Sequence, residues 1–190
     1  MKKLFLIIGA PGSGKTTDAE MIAAQNSDTI AHFSTGDLLR EEVASGSELG
    51  KTIDSFVSNG NLCPVDVVIN TIVTAIKASD KDNIIVDGLP RSEEQLNALH
   101  SFLDKEQKIK LTSVIEVAVT EEVARERVLG RARGDDDTNE VFNNRMKVYT
   151  DPLKFIQDTY IEMDILKVID GTGTIEAIVA DMEAFILSKT

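Results

Sequence analysis

The stretch GAPGSGKT, residues 9–16, restricts what this chain can fold into more than any other feature. It matches the pattern G-x-x-x-x-G-K-[ST] at every fixed position, with a short apolar run at residues 4–8 before it and a helical pattern after it. Glycines let consecutive backbone N–H groups turn toward one anion, and the N-terminus of the following helix adds a partial positive charge. The stretch therefore predicts a phosphate loop that holds a nucleoside triphosphate.

The residues of this phosphate loop have separate expected roles. Lys15 should reach the terminal phosphates, and the hydroxyl of either Thr16 or Thr17 can face a magnesium ion. The following residues are expected to contact the triphosphate: Gly12, Ser13, Gly14, Lys15, Thr16 and Thr17. The loop alone does not identify the acceptor of a phosphoryl group, because the same pattern serves motors, GTPases, transporters and kinases.

Short apolar runs alternate with helical stretches along the whole chain. The predicted strands cover residues 4–8, 30–33, 84–86, 113–119 and 166–169. The predicted helices cover residues 14–25, 35–45, 49–59, 65–78, 92–104, 120–130, 139–149, 152–163 and 174–188, with Pro64 and Pro152 in first-turn positions. Runs such as NIIVDG and LKVIDG are continuously apolar, as strands buried on both faces are. The alternation predicts an α/β fold with a parallel sheet between helices and a ligand site at the carboxyl ends of the strands.

Composition narrows the class of partner. The formal net charge of −12 argues against nucleic acid or an anionic membrane as a partner. No apolar run approaches the roughly 20 residues that span a bilayer, and no export signal is recognised, so we expect a cytoplasmic protein. The single cysteine, Cys63, excludes an internal disulfide and a multi-cysteine zinc site.

Five further motifs follow the phosphate loop in order. They are STGDLLR (34–40), GNLCPVDVV (60–68), DGLPRSEEQ (87–95), GRARGDDD (130–137) and NRMKVYTDPL (144–153). Together with the loop they closely resemble adenylate kinase in its short form, without a zinc lid, over essentially the whole chain. The resemblance implies a P-loop NTPase-type sheet of five parallel strands flanked by helices, in a monomer with no structural zinc. It also implies one domain over 1–190, made of a core (1–33, 64–129 and 137–190), a small mobile monophosphate-binding helical insert (34–63) and a short lid (130–136).

The motif DGLPRSEEQ supplies candidates for the acceptor side. Asp87 follows an apolar run, so it should end a strand beside the phosphate loop, where a carboxylate can hold magnesium directly or through water. The resemblance implies that Arg91 grips the phosphate of AMP and that Gln95 reads the adenine edge. It implies that Thr35 meets the adenine region and that Arg40 meets the charge of the monophosphate. It also assigns to the AMP pocket Asn61, Leu62, Cys63, Gly88, Leu89 and Pro90, with Cys63 contributing mainly packing.

Arginine placement is the second signal of an anion site. Five of the seven arginines, all except Arg125 and Arg127, fall inside the motifs, which a dispersed network of surface ion pairs would not predict. Arg127 and Arg131 are spaced i,i+4 on one helix face, and the resemblance assigns both to ATP. Arg133 and Arg145 are assigned to AMP, and Arg125 is left as a surface residue. The expected catalytic set is Lys15, Arg91, Arg127, Arg133 and Arg145, and Gly173 is expected to contact the adenine of ATP through its backbone.

The predicted activity is reversible transfer of the terminal phosphoryl group of Mg-ATP to AMP, giving two ADP. A UMP or CMP kinase is the nearest alternative, and an ATP-binding regulatory switch without an acceptor is an alternative of another class. Three positions depart from the usual family pattern. Thr16 stands where glycine is usual, Leu89 stands where an aromatic is usual, and the segment around Arg133 carries one extra residue.

Overall fold

A computed structural model describes residues 1–131 and 138–190, without the side chain of Arg131. In this part of the chain the strands are β1 (Lys2–Gly9), β2 (Ile30–Ser34), β3 (Asn83–Asp87), β4 (Ile109–Ala118) and β5 (Leu166–Asp170). The helices are α1 (Lys15–Gln25), α2 (Thr35–Ala44), α3 (Glu48–Val57), α4 (Val65–Ala78), α5 (Glu93–Lys105), α6 (Glu121–Arg131), α7 (Asn139–Glu162) and α8 (Ile175–Leu187). None of these helices combines the length and apolarity needed to cross a bilayer.

The five strands form one parallel sheet in the order β2-β3-β1-β4-β5. This confirms the predicted α/β class and the five-stranded P-loop NTPase-type sheet. The register pairs Ile7 with Asp87 and Ser34 with Asp87. The carboxyl ends of β1, β2 and β3 therefore lie side by side, and the phosphate loop leaves the sheet at that edge.

Alternation along β1 divides the core into two layers. Leu4 and Leu6 belong to the cluster under α4, α5 and α7, whereas Phe5 and Ile7 belong to the cluster under α1 and α8. All four side chains are fully buried. Burial on both faces explains the continuously apolar composition of this strand, and it fixes the position of the loop that follows.

Six helices begin with a hydroxyl side chain that accepts a backbone N–H bond. The caps are Ser34, Ser47, Ser92, Thr120, Thr138 and Thr174, for α2, α3, α5, α6, α7 and α8. Each satisfies one N–H group that the helix itself leaves unpaired. The predicted starts of these helices, at residues 35, 49, 92, 120, 139 and 174, agree with the structure to within one residue.

The prediction that LKVIDG is buried on both faces is wrong. β5 pairs only with β4 and is therefore an edge strand. Val168 is 52% exposed and Lys167 is exposed, whereas Ile169 is buried. An apolar run is compatible with either an edge or a central strand, and only the strand order decides between them.

The prediction of separate helices at 139–149 and 152–163 is also wrong. One helix, α7, runs through Pro152, which lies in its interior rather than in a first turn. Proline in a helix interior costs about 3 kcal/mol because it removes a hydrogen bond and crowds the preceding turn. Met146 before the proline and Ile156 and Tyr160 after it are all buried on the core side of this helix. This continuous apolar face offsets the cost.

His100 makes the stability of this fold sensitive to acid. Its ring lies 5.7 Å from the ring of Tyr160, and its Nε2 atom is buried without a hydrogen-bond partner among the described residues. Burial lowers the pKa of His100, and Asp104 partly opposes that shift. The unfolded chain therefore takes up a proton more readily than the folded one, so stability is lost as the pH falls below about 6.5.

We expect His100→Phe to lose less stability than the unmodified protein between pH 7 and pH 5. The difference in slope should reach up to about 1.4 kcal/mol per pH unit for one proton. Urea unfolding at pH 7, 6 and 5 measures it, and the comparison of slopes is independent of any packing change that the substitution causes. Parallel pH profiles for the two proteins would contradict this role of His100.

Candidate active site

A cleft lies at the edge of the sheet formed by the carboxyl ends of the strands. Its volume is about 1290 Å³ when the solvent-filled space at its mouth is included. The structure brings the following predicted site residues into its wall: Gly12, Lys15, Thr16, Thr35, Arg40, Asn61, Leu62, Cys63, Asp87, Gly88, Pro90, Arg91, Gln95 and Arg145. Ser13, Gly14, Thr17, Leu89, Arg127 and Gly173 are outside that wall.

The phosphate loop has a backbone that only glycine accommodates. Gly12 has φ +81°, and a Cβ atom there would lie 2.5 Å from the carbonyl oxygen of Ala124. Gly14 has φ +98° and begins α1 without a side-chain cap, unlike the six hydroxyl-capped helices. The first N–H groups of α1 are therefore left for an anion. Lys15 spans the loop, since its Nζ donates to the carbonyl oxygen of Ala10 at 3.2 Å.

Asp87 joins three elements at the base of the cleft. Its Oδ1 atom accepts a hydrogen bond from Thr16 Oγ1 at 3.0 Å, and its Oδ2 atom lies 2.7 Å from His32 Nε2. Thr17 is exposed and outside the cleft, so Thr16 is the hydroxyl beside this carboxylate. Sequence reasoning missed His32, a lone histidine within an apolar strand whose partner is 55 residues away.

Asp18 is an acidic group near the phosphate loop, in addition to Asp87. Unlike Asp87, it was missed by sequence reasoning. It is 1% exposed in the first turn of α1, and its Oδ2 atom has no hydrogen-bond partner among the described residues. Burial raises the pKa of Asp18 to about 6, although the charges of Arg127 and Lys15 oppose this shift. A buried carboxyl next to a phosphate site weakens the positive potential there whenever it is ionised.

Arg127 braces the phosphate loop from outside the cleft. Its Nη1 atom donates to the carbonyl oxygen of Ser13 at 3.2 Å, and its Nη2 atom donates to that of Gly171 at 3.0 Å. The side chain therefore connects α6, the loop and the turn after β5. Gly173, in the same turn, is exposed.

Three arginines, Arg40, Arg91 and Arg145, line the same cleft and lie close enough to interact through their charges. Burial lowers the pKa of the Arg91 guanidinium, Asp87 raises it, and the charges of Arg145 and Arg40 lower it again. Arg91 Nε donates to the carbonyl oxygen of Gly88 at 2.7 Å, which fixes the guanidinium, and Arg40 pairs with Asp37 at 2.5 Å. Guanidinium stays protonated in proteins. The arginine set, Arg40, Arg91 and Arg145, is therefore a concentration of positive charge in an acidic protein and suits a phosphate group.

Gln95 is almost completely buried, with 2% exposure, beside the arginine set. Its Oε1 atom accepts from the backbone N–H of Arg91 at 2.8 Å, so its amide NH₂ is the group left to meet a ligand.

Thr35 Oγ1 donates to the carbonyl oxygen of Asp87 at 2.8 Å and so holds the start of α2 against β3. Leu89 is fully buried in the core, so its side chain is not part of the cleft. Cys63 is buried in the same apolar cluster and also lines the cleft.

Arg125, expected as a surface residue, connects α6 to α7. Its guanidinium lies 4.5 Å from the ring centroid of Phe142 and donates to Asn139, at 3.2 Å, and to Asn143, at 2.9 Å. These partners lie beyond the segment 132–137 in the sequence. The predicted lid, 130–136, and Arg133 fall mainly outside the described residues, as does the side chain of Arg131.

Glu116 is a third polar group that sequence reasoning missed. It is 3% exposed on β4, where both of its carboxylate oxygens accept hydrogen bonds from side chains of α7. A single glutamate within the apolar run SVIEVAV gives no sequence signal of such partners, because they lie 33 and 41 residues away.

Comparison with known proteins agrees with this geometry. The family model described as "Adenylate kinase" matches residues 7–165. A Campylobacter fetus subsp. fetus protein named adenylate kinase is 67% identical over 186 residues, covering 98% of this chain and 97% of that protein. Proteins of the same name from Nitratiruptor sp. and Helicobacter hepaticus are 65% and 64% identical, each over 189 residues, covering all of this chain and 97% and 100% of those proteins. With the phosphate loop, Asp87 and the arginine set in one cleft, this chain belongs to the adenylate kinase family.

Proposed function

We propose that this chain transfers the terminal phosphoryl group of Mg-ATP reversibly to AMP, giving two ADP. The observation that carries the proposal is the shared cleft, which is lined both by the phosphate loop and by the arginine set. One nucleotide needs one phosphate site, whereas direct transfer needs two sites that face each other. Membership of the adenylate kinase family supports the same reaction.

The donor phosphates are held by the loop backbone, the N-terminus of α1 and Lys15. Lys15 lies across the loop at 3.2 Å from the Ala10 carbonyl, and an anion can draw its ammonium group away from that neutral partner. Arg127 supports the loop through Ser13 and also lies beside the turn that carries Gly173, where we assign the adenine of ATP. We assign Arg131 to the same nucleotide, as the i,i+4 neighbour of Arg127.

The acceptor phosphate is held by the arginine set, with Arg133 as a fourth proposed member. Phosphoryl transfer spreads charge over three oxygens, and guanidinium groups stabilise that charge without a covalent intermediate. Arg91 has the most fixed position, because its Nε is bonded to Gly88 and its backbone N–H to Gln95. We therefore assign to it the largest contact with the transferred group.

The residues at the base of the cleft fit a magnesium ion. Asp87 and Thr16 offer a carboxylate and a hydroxyl, the hard oxygen ligands that Mg²⁺ prefers. When bound with ATP, the ion neutralises charge on the phosphates. His32 holds the other oxygen of Asp87 and so fixes the orientation of the carboxylate.

We expect Thr16→Val to raise the Mg²⁺ concentration that gives half-maximal activity by about 10-fold, because valine lacks the hydroxyl that bonds to Asp87 and that we assign to the ion. Thr17→Val is the matched control, because Thr17 carries the same side chain but is exposed and outside the cleft. Magnesium titrations at saturating ATP and AMP measure both variants. Equal shifts for the two, or a shift for Thr17→Val alone, would contradict the assignment of Thr16.

We propose that the chain forms a single domain, which is monomeric and cytoplasmic. Residues 34–63 are its monophosphate-binding insert, and this insert moves. They contain α2 and α3. Asn144 of α7 donates to the carbonyl oxygen of Asn59 at 2.8 Å and to Asn61 Oδ1 at 2.9 Å, and both bonds are exposed. Water can replace exposed hydrogen bonds at little cost, so these contacts permit opening. A lid at 130–136 would exclude water from the transferred group.

An assay of ADP formation from ATP with AMP, CMP, UMP or GMP as acceptor tests the proposal. We expect AMP to be the best acceptor, because the free NH₂ of Gln95 can donate to adenine N1, whereas guanine presents an N–H at that position. Faster turnover with CMP or UMP would favour the pyrimidine kinase instead. Absence of turnover with all four would favour the ATP-binding switch, which the arginine set argues against.

A further inference from the structure

We propose that Glu116 is a positioning residue for the acceptor phosphate, since it holds the helix that carries Arg145. The inference rests on the proposed function, in which Arg145 meets the phosphate of AMP. Glu116 does not line the cleft. Its effect on AMP would therefore be exerted entirely through α7.

Two hydrogen bonds connect this carboxylate to α7. Tyr149 Oη donates to Glu116 Oε1 at 3.1 Å, and Gln157 Nε2 donates to Oε2 at 2.8 Å. Glu116 itself is part of β4, where it is in register with Ile8 of β1 and Val168 of β5. The bonds thus attach α7 to a strand that has a neighbour on each side. Buried polar groups whose partners are all satisfied favour one packing arrangement over others that an apolar contact would allow.

The two bonds are made by residues on opposite sides of Pro152, which interrupts the hydrogen bonding of α7. Pro152 has no N–H to donate, so the helix lacks the hydrogen bond that residue 152 would make to the carbonyl oxygen of Val148. Such an interruption lets the two halves of a helix rotate relative to each other. Because Glu116 holds a residue from each half, it prevents that rotation.

Arg145 belongs to the half that depends on this attachment. It lies one turn before Tyr149, on the same helix face, and both side chains line the cleft. Loss of the attachment would turn Arg145 relative to Arg91 and Arg40, and the AMP phosphate would lose one contact of the arginine set. The phosphate loop follows β1 and is not part of α7, so ATP should bind as before.

Gln157→Leu is the variant that tests this inference, because Gln157 does not line the cleft and the substitution removes only one donor to Glu116. We expect it to weaken AMP binding by about 5-fold or more, a typical size for coupling between sites, and to leave ATP affinity within about twofold. Asp158→Asn is the matched control, since Asp158 is the next residue of α7 and its exposed pairing is with Lys154. We expect that variant to bind both nucleotides as the unmodified protein does.

A double-mutant cycle separates positioning from a general structural effect. In the Arg145→Ala background, Gln157→Leu should cause no further loss of AMP affinity, because the residue being positioned is absent. Calorimetric titration of AMP and of ATP, each alone, measures all four proteins. Additive losses of AMP affinity, or equal losses for ATP and AMP, would overturn the inference.

Glu116→Gln provides a rescue test. Its amide oxygen can accept from Gln157, and its NH₂ can donate to the hydroxyl of Tyr149, so AMP affinity should stay within about twofold of the unmodified protein. Glu116→Leu cannot make either bond and should match or exceed the loss caused by Gln157→Leu. Equal affinities for the Gln and Leu variants would overturn the inference while leaving the proposed function intact. Failure of the unmodified protein to bind AMP would overturn both.

Discussion

Arg91→Ala is expected to lower kcat by at least about 100-fold, the effect of removing one preorganised contact to a charged transition state. Arg91 Nε donates to the carbonyl oxygen of Gly88 at 2.7 Å, so the guanidinium is fixed before substrate arrives, and the Arg91 backbone N–H donates to Gln95 Oε1 at 2.8 Å. Arg40 and Arg145 repel it in the absence of an anion, and the transferred phosphoryl group relieves that repulsion. Steady-state rates with saturating ATP and AMP measure the effect.

Arg91→Lys separates charge from geometry at this position. Lysine keeps the positive charge but lacks the planar fork that binds two phosphate oxygens, so we expect activity between that of the alanine variant and that of the unmodified protein. AMP affinity should fall in both variants, whereas ATP affinity should change little. Turnover of Arg91→Ala within threefold of the unmodified protein would show that Arg91 is not the main acceptor contact.

Lys15→Ala is expected to reduce kcat by roughly 100- to 1,000-fold and to weaken ATP rather than AMP. Lys15 is the cation of the phosphate loop, and its Nζ donates to the carbonyl oxygen of Ala10 in that loop at 3.2 Å. Lys154→Ala is the matched control, because Lys154 is 86% exposed and pairs only with Asp158 among the described residues. Unchanged ATP affinity in Lys15→Ala would contradict the assignment of the donor side to this loop.

Local patterns in the sequence predicted most of the fold. Each of the five strands is a short apolar run, and most helices begin at a hydroxyl cap or a phosphate loop, so neighbouring residues decide these elements. The exposure of Val168 could not be predicted in the same way, because it depends on β5 being last in the sheet. The continuity of α7 through Pro152 also depends on tertiary structure, since the buried face that includes Ile156 outweighs a local break.

In the candidate site, too, some residues could be predicted from the sequence and others depend on the tertiary structure. Lys15 and Asp87 follow from the phosphate-loop pattern and from the strand before Asp87, the arginine set follows from the resemblance to adenylate kinase, and the structure brings all of them into one cleft. His32 and Glu116 carry no such pattern. Each is one polar residue in an apolar strand, and its partners lie 55 residues away for His32 and 33 or 41 residues away for Glu116. Only the strand register and the packing of α7 reveal what they contact.

The central claim is that two nucleotides meet end to end between the phosphate loop and the arginine set. Calorimetric titration with a dinucleotide, in which a chain of phosphates joins two adenosines, tests it most directly. We predict one molecule bound per chain, at least about 100-fold more tightly than ATP or AMP alone because one ligand occupies both sites, with loss of binding of both nucleotides. A dinucleotide that binds no more tightly than ATP and leaves AMP binding intact would contradict the claim.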